Sequence, residues 1–107
     1  MISDDEVERA LSYLVANADK DAQARAEAIY LAEWVRCERS RLTTEQTGIS
    51  NAAARDVAES HPEYHAALDA YRAAVREDFR RRFLREAADA KLRAWQTQSS
   101  NNRAQRI

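Results

Sequence analysis

The residues with the richest chemistry in this chain sit in one short stretch, SHPEYHAALDAY at 60–71, which holds both histidines and the only proline. His61 and His65 are four apart with Glu63 between them. Those are the raw materials of a metal site with a neighbouring base. A helical zinc-protease pattern, however, needs both histidines inside one continuous helix, with glutamate directly after the first. Here proline follows the first, and proline drives the residue before it out of helical geometry. Pro62 itself suits a first helical turn, and Glu63 suits the positive end of a helix. Ser60 with Glu63 also matches the S-x-x-E capping pattern. No cysteine or third histidine lies nearby to complete a coordination set. The stretch therefore reads as a helix start, and neither metal nor cofactor is expected.

Other catalytic arrangements are equally hard to assemble. A single glycine in 107 residues rules out a glycine-rich phosphate loop, and nothing marks a nucleophile elbow. Carboxylates are plentiful, but they alternate with arginines. Asp21–Arg25, Glu77–Arg81, Asp78–Arg82 and Asp89–Arg93 all place acid before base at i,i+4, the favourable order for pairs on a solvated helix face. No enzymatic activity is expected. The stronger signal is REDFRRRFLRE at 76–86. Consecutive helical positions turn about 100°, so Arg80, Arg81 and Arg82 point different ways. Arg72, Arg76 and Arg80 do form one stripe, beside Phe79 and Phe83. Such a surface could track phosphates while the rings stack single-stranded bases. The plainer reading of the same residues is core phenylalanines flanked by paired arginines, or a helix–helix interface, where arginine is favoured.

The elements that must carry these residues are helices. Alanine accounts for 22 residues, whereas Leu, Ile, Val and Phe together number 18. With one Gly and one Pro, and with Arg, Glu and Leu abundant, the composition favours helix throughout. The expected fold is all-α: a long antiparallel helical hairpin or coiled-coil-like bundle with a short extra helix. The expected division is a single helical domain over 1–98 and a polar, frayed tail over 99–107. Ser3 or Asp4 can cap a first helix, which either breaks or runs through at ANADKD (16–21). TTEQTGIS (43–50) is the best loop. Ser50 or Asn51 then caps a short helix, and a long helix follows the proline, its apolar positions Tyr64, Leu68, Tyr71, Val75, Phe79 and Phe83 advancing by fours and a three. Trp34, Trp95 and the stripes around Ala28 and Ile29 read as core. At about 25 cal/mol per Å² of apolar surface, an alanine-rich hairpin buries little, so self-association into a homo-oligomer is expected to supply the rest.

Cys37, the lone cysteine, reads as a small, partly buried core residue. No apolar run reaches the roughly 20 residues that span a membrane, and MISDDEVERA lacks the pattern of a signal peptide. No membrane contact and an intracellular, reducing location are expected. Charge is uneven: residues 1–61 carry 7 basic and 12 acidic side chains, residues 62–107 carry 10 and 6. That asymmetry fits a nucleic-acid surface, and fits as well an acidic segment packing on a basic one.

YLAEWVR (30–36), SHPEY (60–64) and AADAKLRAWQTQSSNNRA (87–104) follow one another in an order that resembles small helical accessory proteins of tailed bacteriophages and prophages, from about Leu11 to the tail. Where those proteins often carry arginine after the tryptophan, this chain has Gln96, which weakens any carry-over of a contact there. The resemblance implies a phage protein working in the cytoplasm of the infected bacterial host. It also implies company with single-strand annealing recombinases and single-strand binding proteins, hence DNA recombination or replication. It assigns no activity. Three roles follow. The first is binding of single-stranded DNA, or of a DNA-bound recombination protein, through Arg72, Arg76, Arg80, Arg81 and Arg85 with the tail. The second is an inhibitor or adaptor docking on a host protein through Asp4, Asp5, Glu6 and Glu8. The third is a helical scaffold or virion component.

Overall fold

The computed structural model describes residues 1–105. It is all-helical: α1 spans Asp4–Thr44, α2 Asn51–Ser60 and α3 Pro62–Gln105. Helix α1 starts where Ser3 Oγ accepts the Glu6 N–H at 3.2 Å, with Asp4, Asp5 and Glu6 in the first turn against the positive dipole end. It runs through ANADKD without a break. Alanine at 16, 18, 22 and 24 favours helix strongly enough to carry the backbone past Asn17 and Asp19, and the Asn17 amide turns back to donate to the Tyr13 carbonyl at 2.9 Å instead of capping a new helix.

The loop falls in TTEQTGIS as expected. Gly48 takes φ +77°, a left-handed backbone that costs glycine nothing. Ser50 then caps α2, its Oγ accepting the Ala53 N–H at 3.1 Å. The start of α3 corrects one detail of the sequence reading. Ser60 donates back to the Asp56 carbonyl inside α2, and the cap is His61. It lies extended (φ −74°, ψ 138°) between two helices, and its Nδ1 accepts the Glu63 N–H at 3.1 Å. Helix α3 continues through residues 99–105 of the segment expected to fray; Arg106 and Ile107 lie outside the described residues.

The chain forms two compact units, Met1–Ala22 with Phe79–Ile107, and Gln23–Asp78. In the first, α1 and α3 run antiparallel. Ile2 N donates to Gln98 Oε1 at 2.9 Å, Trp95 Nε1 donates to Asp4 Oδ1 at 3.3 Å, and Arg81 reaches Asp21. In the second, α1 and α3 are again antiparallel, with Arg25 near Asp78 and Arg41 on Glu63, and α2 contributes buried Ala54 and Ala58.

The core is thinner than the apolar stripes suggest. Its buried members are Val7, Ala10 and Ala88 in the first unit, and Ala28, Leu42, Ala54, Ala58 and Ala67 in the second. Leu42, 1% exposed, is the only large side chain fully buried among the described residues. Ile29 and Trp34, read as core, and Phe79 and Phe83, for which core was one reading, are 43–64% exposed; Val57 of α2 is 44% exposed, and Cys37 is exposed too. The physical reason is that alanine occupies the inward positions, so the larger residues fall one or two positions to the side. Leu42→Ala should therefore cost more than any other single apolar truncation, about 2–5 kcal/mol. Val57→Ala should change stability by under about 1 kcal/mol. Chemical denaturation of the two variants checks the contrast.

Candidate functional site

In the first unit the carboxylate of Asp21, 7% exposed, projects from α1 between two guanidiniums of α3. Arg81 Nη1 donates to Oδ1 at 3.3 Å, and Arg85 Nη1 lies 3.3 Å from Oδ2. Burial strips water from a charge, and only a close, opposite and hydrogen-bonded partner makes that tolerable. Two of the five arginines assigned to an outward binding surface are thus turned inward, with Arg81 17% and Arg85 34% exposed. Arg80 is exposed and is not without a partner. The other two belong to the second unit: Arg76 is exposed, and Arg72 lies 3.7 Å from Asp69 on the surface. In that unit Asp78 is also part-buried, its side chain 14% exposed, but it has only the looser approach of Arg25 at 3.7 Å, and its Oδ1 has no hydrogen-bond partner among the described residues. Asp21–Arg25 and Asp78–Arg82, expected as pairs within one helix, are therefore replaced. Asp21 and Asp78 face the opposite helix, and Arg82 pairs with Glu86 at 3.4 Å. Asp89–Arg93 does form, at 3.9 Å.

The aromatic part of the arginine run stays outside. The Phe79 and Phe83 rings are near-parallel, centroids 6.5 Å apart and 24° between planes. Arg82 sits 5.7 Å above the Phe79 ring, within cation–π range. Phe79 is 46% and Phe83 64% exposed; on α1 of the same unit Leu11 and Val15 are 49% and 79% exposed. A shallow groove on this unit, between α1 and α3, is lined by Glu6, Arg9, Tyr13, Leu84, Ala87 and Lys91.

The second unit gathers charge on Arg41. It hydrogen-bonds Glu38 at 2.8 Å, Glu45 at 2.7 Å and Glu63. The Arg41 hydrogen bond holds the Glu38 carboxyl below its ordinary range, against the burial that pushes it up, and the carboxylates raise the guanidinium in return. One cation satisfying three carboxylates from α1, the following turn and α3 is a clamp and not a poised acid or base. His61 is occupied as a cap and His65 lies edge-on to Tyr64, so the two do not converge. Among the described residues no group of three or more His, Cys, Asp or Glu is placed to hold a metal, and no helix is long and apolar enough to cross a membrane. The buried Asp21 and the Arg41 clamp escaped the sequence reading, whose named pairs all lay along one helix. The one available signal for Asp21 was its place on the inward stripe of Leu14 and Ala28. No known family, curated protein or solved structure matches this chain.

Two outcomes follow from these contacts. A depressed Glu38 pKa contributes stability that is present above the unfolded value of 4.5 and lost as pH falls through the folded value. The melting temperature of the wild type should therefore fall more steeply below pH 4.5 than that of Glu38→Gln; parallel curves would remove Glu38 from the acid response. Asp21→Ala, which leaves two arginines facing each other without their anion, should lose about 2–3 kcal/mol, against under about 1 kcal/mol for Asp19→Ala, as read by denaturant midpoints.

Proposed function

We propose that this chain is a non-enzymatic accessory protein that works by docking on another protein. The observation that carries this reading is the inversion of its apolar residues. Among the described residues one large side chain is fully buried, while Leu11, Val15, Ile29, Tyr30, Trp34, Phe79, Phe83 and Leu84 are 40–79% exposed. Scattered exposed apolar residues are ordinary, but an excess of outward over inward ones marks surface meant to be covered. The resemblance to phage accessory proteins in YLAEWVR, SHPEY and the AWQTQSSNNRA tail supports a partner in phage DNA recombination or replication, namely a recombinase already on single-stranded DNA.

A second reading has one specific observation in its favour: the parallel Phe79 and Phe83 rings with Arg82 over one of them suit stacking of single-stranded bases. Capture of Asp21 by Arg81 and Arg85 takes two cations away from it. One titration separates the two. Fluorescence anisotropy of a labelled single strand should rise when this protein is added to a strand coated with a purified phage annealing recombinase. It should not rise on the naked strand between about 50 and 200 mM salt. Saturable binding to the naked strand that fades across that range, and is lost in Arg80→Glu/Arg82→Glu, would install direct DNA binding instead.

A further inference from the structure

We propose that the hollow between the last turns of α1 and helix α2, in the second unit, binds a phosphate dianion, either the free ion or the end of a phosphate monoester. The site goes beyond the docking reading and does not depend on it.

The hollow is lined by Arg39, Ser40, Thr43 and Thr44 of α1 and by Arg55 of α2. Its place follows from the packing. Leu42 of α1 and Ala54 and Ala58 of α2 point inward. Consecutive helical positions turn about 100°, so Arg39 and Thr43 share one flank beside Leu42, with Ser40 and Thr44 farther round. Arg55 takes the flank beside Ala54. Arg39 lies 3.8 Å from Glu59, one turn beyond Arg55, which brings the two flanks together.

The charges on this hollow do not balance. Arg41, Arg82 and Arg93 each have a carboxylate one turn away on their own helix. Arg55 makes no hydrogen bond or ion pair among the described residues. Its neighbours a turn away are Asn51, Ala52 and Ala58, which carry no charge, and Glu59, which lies against Arg39. Asp56 falls on the far side of α2, about 200° round from Ala54. Two guanidiniums thus share one carboxylate, at a distance too long for a hydrogen bond. The Ser40 hydroxyl has no partner among the described residues either. Thr43 and Thr44 donate back to the Arg39 and Ser40 carbonyls, at 2.6 and 2.8 Å, and their oxygens keep the lining polar. The negative end of α1 is partly quenched, since the Arg41 and Thr43 carbonyls accept the Glu45 and Gln46 N–H groups.

Shape and charge select the ligand. A guanidinium is a planar fork that matches phosphate. Here the donors come from two helices and a hydroxyl, an arrangement suited to a tetrahedral ion with oxygens on several sides. A planar carboxylate meets one fork at a time. A phosphate monoester carries close to two charges above its second pKa of about 6, which draws both arginines while Glu59 stays in place. A backbone phosphodiester offers one charge and two free oxygens, so a naked single strand is not the ligand of this hollow.

The test is two-dimensional NMR of the full chain at about pH 7.5 in chloride buffer, titrated with sodium phosphate in one arm and thymidine 5′-monophosphate in the other. Saturable shifts confined to residues 39–44 and 50–59, with a Kd on the order of 1 mM, are expected. Response in both arms supports the phosphoryl group as the ligand. Response to phosphate alone supports the site for the free ion, and response to the nucleotide alone supports it for an ester. Acetate should bind at least about tenfold more weakly. Arg55→Gln, which breaks no contact of the fold, should raise the Kd about tenfold. Glu59→Gln, which removes the competing carboxylate, should lower it about threefold. Circular dichroism checks that both variants stay helical. No saturation in either arm up to about ten times the expected Kd, acetate binding as well as phosphate, or a Kd unmoved by Arg55→Gln overturns the site. None of these results touches the recombinase-docking reading, which stands or falls on the coated strand.

Discussion

Everything in this protein depends on alanine occupying the seam between α1 and α3. Ala10 and Ala88 hold it in one unit, Ala28 and Ala67 in the other. Alanine lets helix backbones approach closely and loses no rotamer freedom on burial. It also removes little apolar surface from water, and a methyl group says little about register: around Ala28 a slide of one turn brings another alanine, Ala24 or Ala32, to the same place. Something else must say which residue lies opposite which. The buried carboxylate of Asp21 can do so. Moved one turn it would keep only one of Arg81 and Arg85, which are themselves a turn apart, and a dehydrated charge stripped of half its partners is a larger loss than any alanine contact. Arg41 does the same in its unit for α1 and α3 by binding Glu38 and Glu63 together.

The uneven charge of the sequence finds its explanation there. In the first unit the acidic first half meets the basic second half, Asp21 against Arg81 and Arg85; in the other unit Arg25 meets Asp78 and Arg41 meets Glu63. The last two run with the opposite sign, which shows that the pairing is set position by position and not by the bulk charge of the halves. Arginine rather than lysine suits this use, since a planar guanidinium can serve several carboxylates at fixed angles.

Most of the architecture was legible because it rests on local chemistry. Ser3 and Ser50 cap as serines before helices do, Gly48 marks the loop, and Pro62 opens α3. What was not legible depended on the partner helix. The pairing Asp21–Arg25 is as good as any by spacing along α1, and only the presence of Arg81 and Arg85 across the seam makes it lose. Likewise the stripe through Ile29, Trp34 and Cys37 looks like a core until the alanines beside it are seen to take the inward positions. The His61 cap was missed for a related reason. Ser60 offers the commoner capping side chain, but the extended backbone that Pro62 imposes on His61 brings the imidazole, and not the hydroxyl, within reach of the Glu63 N–H.

An alanine seam also decides where function can reside. A hairpin that spent its large apolar residues inward would be stable alone and bland outside. This one spends alanine and ion pairs inward, which hold register at modest net stabilisation, and leaves Leu11, Val15, Trp34, Phe79 and Phe83 in contact with water. Each exposed ring or branched chain is apolar area whose removal from water contributes at roughly 25 cal/mol per Å² only when a partner arrives. On the docking reading proposed above, association supplies the free energy that the seam does not. On that same proposal, surface arginines such as Arg82, held over Phe79 by Glu86 and the ring, are the groups that select a partner by charge, and the apolar side chains are those that supply affinity.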